Sequence, residues 1–208
     1  MRYKVLFINV VGSRLYRAER PGSDLDLFVV YQFFSSDMLL GKKLPKVKDV
    51  INDLRKEYEA DITAHEIGSV VYNILDSNIN FIEGVFSTIN IISWEKLNYL
   101  RELAYKNLSK RIIKSIKGLY MSNLGKITNE KVRSLLCRKI KLALSIIKEG
   151  KISFENCNEK DNLNDLFSEL QRSINISPLP QDPLYVKEME KFLLDLRVSN
   201  LLEELRIL

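Results

Sequence analysis

Residues 12–27 have the sequence GSRLYRAERPGSDLDL, and this stretch decides the predicted fold. It lies between two apolar runs, residues 5–11 and residues 27–31. Nearly continuous apolar residues of this length predict strands that are buried on both faces. The stretch therefore predicts two core strands joined by a basic, Gly- and Pro-containing loop.

Four residues of this stretch suit the binding of phosphate and metal. Gly12 and Ser13 follow the first strand, and a Gly-Ser turn offers backbone N–H groups and a hydroxyl to a phosphate. Asp24 and Asp26 share one face of the second strand, because side chains alternate along a strand. Two such carboxylates repel each other unless a cation lies between them, and Mg²⁺ prefers carboxylates together with substrate phosphates. The residues predict a phosphate-binding turn beside a metal site, with Mg²⁺ as the cofactor and Mn²⁺ as an alternative.

A third strand is predicted at residues 59–63, after a helix over residues 46–58. If this strand pairs with the second strand, Asp61 joins the other two aspartates. Glu59 shares the same face of the strand and is the competing candidate. A helix is predicted to begin at His65 and to run to residue 75.

The order Gly12-Ser13, ten further residues and then Asp24-Leu25-Asp26-Leu27 resembles the nucleotidyltransferase signature of the DNA polymerase β superfamily. Within that superfamily, the pattern GSRLY…SDLDL is most similar to the predicted nucleotidyltransferases associated with RNA ligases. A second match covers residues 61–87, with Asp-Ile-Thr, His-Glu-Ile, Asn-x-Asn, Ile-Glu and Val-Phe-Ser in that order. The superfamily takes its third carboxylate from such a third strand, which assigns this role to Asp61. The chain departs from the family at Leu135, where the family often has a His.

The resemblance implies Mg²⁺-dependent transfer of a nucleoside monophosphate from an NTP, with ATP favoured, to an acceptor hydroxyl of an RNA or a protein. Pyrophosphate is the other product. The expected catalytic and metal-binding residues are Asp24, Asp26 and Asp61, and the expected nucleotide-binding residues are Gly12, Ser13, Arg14, Lys131 and Arg138.

A basic block lies in the second half of the chain. Residues 96–151 hold 15 Lys and Arg but three Glu and no Asp, a net charge of +12 within a whole-chain charge of +5. Such a block attracts polyanions, whether a triphosphate or a nucleic acid, although a solvated helix face is an equal alternative. Lys131 and Arg138 are seven residues apart and are therefore expected on one helix face, from which both can reach a nucleotide.

The predicted fold class is α+β. A small mixed sheet is expected to form a palm-like nucleotidyltransferase core over residues 1–92, followed by a helical domain over residues 93–208. Helix starts are predicted at Ser93 and Thr128, and Gly150 is predicted to end the helix that begins at Thr128.

The remaining composition indicates a cytoplasmic protein. No apolar stretch has the length of a membrane span, so no membrane partner is expected. Cys137 and Cys157 show no disulfide framework or metal-ligand spacing and are expected to be reduced thiols. A single His excludes a His-rich zinc site. The oligomeric state stays open.

Three other functions remain in view. The first is a catalytically inactive nucleotidyltransferase fold that binds nucleic acid, which the presence of all three aspartates disfavours. The second is a protein-modifying enzyme of the antitoxin-like type, whose members are usually shorter. The third is a transferase for small antibiotics, and the basic block suits such cationic acceptors poorly.

Overall fold

The computed structural model describes residues 2–158 and 160–207 of the 208-residue chain. Its strands are β1 (Tyr3–Val11), β2 (Asp26–Phe33), β3 (Asp61–Glu66) and β4 (Asn90–Ile92). They form one four-stranded sheet in the order β3-β2-β1-β4. β1 is antiparallel to β2 and to β4, whereas β2 and β3 are parallel. The sheet is small and mixed, which is consistent with the predicted α+β class.

The same described residues form ten α-helices. They are α1 (Gly12–Leu15), α2 (Ser35–Leu39), α3 (Val47–Leu54), α4 (Ile67–Leu75), α5 (Ile79–Phe86), α6 (Leu97–Lys106), α7 (Ile112–Asn123), α8 (Glu130–Glu149), α9 (Leu163–Ile176) and α10 (Val186–Ile207). Within the part of the chain that the structure covers, no helix combines the length and the apolar character needed to cross a membrane.

β2 lies between two hydrophobic cores because its side chains alternate between the faces of the sheet. Phe28 and Val30 belong to a core that also contains residues of α4, α5, α6 and α10. Leu27, Val29 and Tyr31 belong to a second core, which residues of α3 complete. The prediction that this strand is buried on both faces is therefore confirmed.

A third core lies among α7, α8 and α9, and α5 connects it to the sheet through Ile79 and Ile82. The long helix α8 ends at Gly150, whose φ of +62° is the left-handed conformation expected of a glycine cap. Its predicted N-cap at Thr128 is wrong by one residue. The side chain of Asn129 accepts the backbone N–H groups that open the helix.

Several predicted boundaries differ from the structure: the helix predicted over residues 46–58 is α3 at Val47–Leu54, and the strand predicted over residues 59–63 is β3 at Asp61–Glu66. β3 continues to Glu66, where the predicted helix had already begun, because its six residues pair with β2. The side chain of Glu66 then caps α4 by accepting from the backbone N–H of Gly68. Helix α6 begins at Leu97 rather than directly after Ser93.

The predicted boundary at residues 92 and 93 coincides with the end of β4. Helix α10, from the predicted helical domain, nevertheless packs back onto the sheet. Its residues Met189, Phe192 and Leu196 share a core with Leu6 and Phe7 of β1. The division into two domains stays a prediction.

Candidate functional site

The main cleft opens at one end of the sheet, where β1 ends and β2 and β3 begin. Val11, the last residue of β1, is paired with Asp26 of the antiparallel β2, and Asp26 is paired with Asp61 of the parallel β3. This register brings three strand ends to one edge. The adjoining cavity has a volume of about 1330 Å³ and also borders on α8 and on Asn156, Cys157, Asn158 and Asp161.

Asp26 and Asp61 are direct neighbours on adjacent strands, and Asp24 lies in the loop before β2. Burial raises the pKa of Asp26 above its ordinary value, and the charges of Asp61 and Asp24 raise it further, while Lys131 acts in the opposite direction. Asp24 is exposed, and its carboxylate lies 3.6 Å from the Lys131 ammonium. The sequence prediction that the three aspartates meet in one cleft agrees with this placement. Glu59, the competing candidate, does not line the cavity.

Gly12 lies directly against Asp26. Its φ of +67° is in the left-handed region, and a Cβ placed on it would lie 2.7 Å from Cγ of Asp26. No other residue type fits there without displacing that carboxylate. Ser13 also lines the cavity, whereas Arg14 is exposed and does not. The Gly-Ser turn is thus next to the aspartates, and the predicted nucleotide-binding residue Arg14 is not part of the cavity lining.

The loop between α1 and β2 contacts the start of α8 across the cleft. The Arg20 guanidinium donates to the Glu130 carboxylate, and Arg17 also lines the cavity. The Arg20–Glu130 pair is largely exposed and contributes little stability, but it joins two walls of the site. The sequence showed three arginines between the two core strands, at positions 14, 17 and 20, without indicating which one would contact the helical part.

The wall formed by α8 carries both predicted cationic residues. Lys131 is exposed at the mouth of the cleft, and Arg138 lines it further along the helix with only 7% of its surface exposed. The Arg138 guanidinium lies 5.2 Å from the centre of the Tyr16 ring, and Phe154 packs edge-on against that ring. Burial and the charge of Glu83 raise the pKa of Tyr16. Burial lowers the pKa of Arg138.

The side of the cavity next to α5 contains a buried ion pair. Lys139 donates to Glu83 at 2.6 Å, and both side chains are less than a tenth exposed. Glu83 is therefore a buried residue of the cavity wall and not a solvated residue of α5.

On the opposite wall, a disulfide joins Cys137 of α8 to Cys157 in the segment that follows this helix. The expectation of reduced thiols is therefore wrong for this structure. The reason is tertiary: residues 156–158 and 161 lie against α8, where the Lys141 ammonium donates to the carbonyl of Asn156 and pairs with Asp161 at 2.6 Å. This brings the two cysteine Cα atoms to 6.1 Å, although 20 residues separate them in sequence.

One group of three possible metal ligands is tightly gathered among the residues that the structure describes. Its atoms, from Cys137, Cys157 and Asp161, lie within 4.8 Å of one another. Because the two sulfurs are bonded to each other, they are not thiolates and do not form a metal site. The oxygens of the three aspartates are not gathered as closely as this group.

Leu135 lines the cavity at the position where the resembling family often has a His. The one His of the chain, His65, does not line the cleft and packs against Phe28 and Phe81. Burial lowers the pKa of His65, which favours the neutral imidazole. No histidine therefore contributes to this site.

No protein-family model, curated protein or solved structure matches this chain. The resemblance in the first 90 residues and the geometry of the cleft are thus the grounds for a functional assignment.

Proposed function

We propose that this protein is a Mg²⁺-dependent nucleotidyltransferase. Such an enzyme would transfer a nucleoside monophosphate from an NTP, with ATP favoured, to a hydroxyl of an RNA or a protein. One observation carries the proposal: Asp26 is paired with Asp61 at the strand ends of the main cleft, with Asp24 and Gly12 beside them. The palm-like character of the sheet is part of the same proposal.

The donor set suits a hard divalent cation. Asp24, Asp26 and Asp61 offer carboxylate oxygens alone, which Mg²⁺ and Mn²⁺ accept. Burial and the charges of Asp61 and Asp24 raise the pKa of Asp26, and a cation held between these carboxylates would remove their repulsion. Bound there, the cation would neutralise phosphate charge and lower the pKa of the acceptor hydroxyl.

The chain's own residues would bind and orient the substrates. Gly12 leaves room for the Asp26 carboxylate at the edge of the cleft, and the Ser13 hydroxyl can donate to a phosphate chain. Lys131 supplies positive charge at the mouth of the cleft. In the reaction, the acceptor oxygen forms a bond to the α-phosphorus, the bond from that phosphorus to pyrophosphate breaks, and the acceptor proton is released to solvent.

The direct test incubates the protein with each α-labelled NTP, Mg²⁺ and total cellular RNA or protein. We expect label in one of the two pools, together with an equal amount of pyrophosphate. Asp26→Asn should abolish both products, because the amide removes the charge that would hold the cation. Its melting temperature should not fall, because the substitution relieves repulsion with Asp61.

Wild-type rates of labelling by Asp26→Asn would contradict the proposal. So would the absence of Mg²⁺-dependent pyrophosphate release with every NTP. If the protein binds oligonucleotides but releases no pyrophosphate, the inactive nucleic-acid-binding alternative replaces it.

A further inference from the structure

The disulfide of this chain lies in the wall of the main cleft. Cys137 belongs to α8, Cys157 lies in the segment that follows this helix, and both residues line the cavity. Cys137 is buried, with 3% of its surface exposed, whereas Cys157 is only half-buried. The adjoining cavity of about 1330 Å³ is wide enough to admit a small thiol. The bond can therefore be approached from the cleft, on the side of Cys157.

The segment of residues 152–157 depends on side chains for its order. It has no regular secondary structure, and its described residues form no backbone–backbone hydrogen bond. The Lys141 ammonium donates to the carbonyl of Asn156 at 3.1 Å, and Phe154 packs edge-on against Tyr16 with ring centroids 5.6 Å apart. A segment without a backbone hydrogen-bond ladder opens easily unless a covalent bond restricts it. The disulfide is such a restriction.

The same segment supports the candidate site. Asn156 and Cys157 line the cavity. Phe154 packs against the Tyr16 ring, and the Arg138 guanidinium lies 5.2 Å from the centre of that ring. An ordered segment thus helps to hold the α8 wall of the cleft in one arrangement, and a released segment would not.

Both sulfurs also have hydrogen-bond acceptors in place for the reduced state. Sγ of Cys137 lies 3.8 Å from the Asp161 carboxylate, and Sγ of Cys157 lies 3.9 Å from the carbonyl of Ser134. A disulfide has no S–H group and needs neither acceptor, whereas two thiols can donate to both. The surroundings therefore accommodate the bonded and the reduced state, which is what a reversible pair requires.

We propose that Cys137 and Cys157 are a redox-sensitive pair, in which oxidation orders residues 152–157 as a wall of the cleft and reduction by a dithiol releases them. A thiolate of the dithiol attacks Sγ of Cys157 and bonds to it, while the bond to Cys137 breaks and Cys137 leaves as a thiolate that takes up a proton. The second thiol of the reductant then displaces Cys157 in the same way. Two electrons and two protons pass to the protein, and the dithiol becomes a disulfide.

The first test follows the segment itself and needs no substitution. The full chain is equilibrated at several ratios of reduced to oxidised dithiothreitol, and its free thiols are counted by alkylation and mass spectrometry. Because the chain has two cysteines, the reagent can act on no other pair. In the same samples, cleavage by chymotrypsin after Phe154 should become at least about 10-fold faster on reduction, since cleavage follows the population of the open segment.

Cys157→Ser is the matched control. It cannot form the bond, so chymotrypsin should cleave it after Phe154 at the rate of the reduced wild type, whatever the ratio of dithiol to disulfide. The fluorescence of the folded state, from Trp94, should be the same in oxidised and reduced wild type, because the change is confined to the segment.

The second test measures the effect on the site and rests on the proposed function. Reduction should weaken the binding of ATP with Mg²⁺ by about 2- to 10-fold, because a side chain released from the wall has to be immobilised again. Phe154→Leu, which removes the ring contact with Tyr16 but keeps both cysteines, should weaken binding in the oxidised protein by a similar factor.

Equal rates of cleavage after Phe154 in oxidised and reduced wild type would overturn the inference. So would thiols that become free only when the Trp94 fluorescence reports global unfolding, because the bond would then serve stability alone. If reduction releases the segment but no NTP supports transfer in either state, the redox pair stands and the proposed function fails. If transfer is observed with the same ATP affinity in both states, the proposed function stands and redox control of the site is refuted.

Discussion

Replacement of Gly12 by Ala should damage the site more than the fold. A Cβ at this position would lie 2.7 Å from Cγ of Asp26, well inside van der Waals contact, so the carboxylate has to rotate away. The left-handed φ of +67° costs a non-glycine residue about 1–2 kcal/mol. Displacement of a packed neighbour costs about 1–3 kcal/mol more. We therefore expect the free energy of unfolding to fall by about 2–5 kcal/mol, with loss of nucleotidyl transfer.

The chain offers a matched control in Gly41→Ala. Gly41 has a similar φ of +62°, but a Cβ there meets no atom within 4 Å, and the residue does not line the cleft. This variant should show the backbone cost alone, about 1–2 kcal/mol, and keep full activity.

Urea denaturation can be followed by the fluorescence of Trp94, the single tryptophan, which packs against Phe7 and Phe192. Pyrophosphate release reports activity. Equal losses of stability in the two glycine variants, or an active Gly12→Ala, would refute the argument that position 12 needs glycine because the Asp26 carboxylate occupies the space of a side chain.

Three further predictions follow from charge and covalent structure. The pKa of Asp26 is raised in the folded state, so its ionisation opposes folding, and Asp26→Asn should stabilise the protein at pH 7. The difference in melting temperature between wild type and variant should vanish as the pH falls below 3.8, because the carboxyl is then protonated in both the folded and the unfolded state. Lys139→Met should lower the free energy of unfolding by about 3–5 kcal/mol, since it leaves the Glu83 charge buried and unpaired. Reduction of the disulfide, or Cys157→Ser, should cost about 3 kcal/mol, as expected for a closed loop with a sequence separation of 20 residues.

Each of these predictions has its own control. Saturating Mg²⁺ should shrink the stability difference between wild type and Asp26→Asn, and a difference independent of pH would contradict the raised pKa. The double variant Glu83→Leu/Lys139→Met should recover most of the stability lost by the single Lys139 variant, and a loss as large as that of the single variant would argue against a pairing effect. Reductant should not change the free energy of unfolding of Cys157→Ser. If reductant destabilised this variant as much as the wild type, its effect would not come from the disulfide.

Local sequence patterns predicted a large part of this fold. The apolar run before Gly12 and the run after Asp26 predicted β1 and β2 to within a residue, because strand burial is visible as a continuous apolar segment. Gly150 was identified as a helix end because its conformation depends on the residue itself. The predicted third strand carried both Glu59 and Asp61, and the family resemblance selected Asp61, which pairs with Asp26.

The sequence by itself thus determined the ends of the central strands, the Gly-Ser turn and the three aspartates, since each depends on residues close together in the chain. The tertiary structure alone decided that Glu83 and Lys139 are buried as a pair and that the two cysteines are bonded. It also decided that Arg138 lines the cleft and packs on the Tyr16 ring. These facts depend on contacts between residues far apart in sequence, and helical spacing cannot show which face of α8 meets a solvated surface, a core or a cavity.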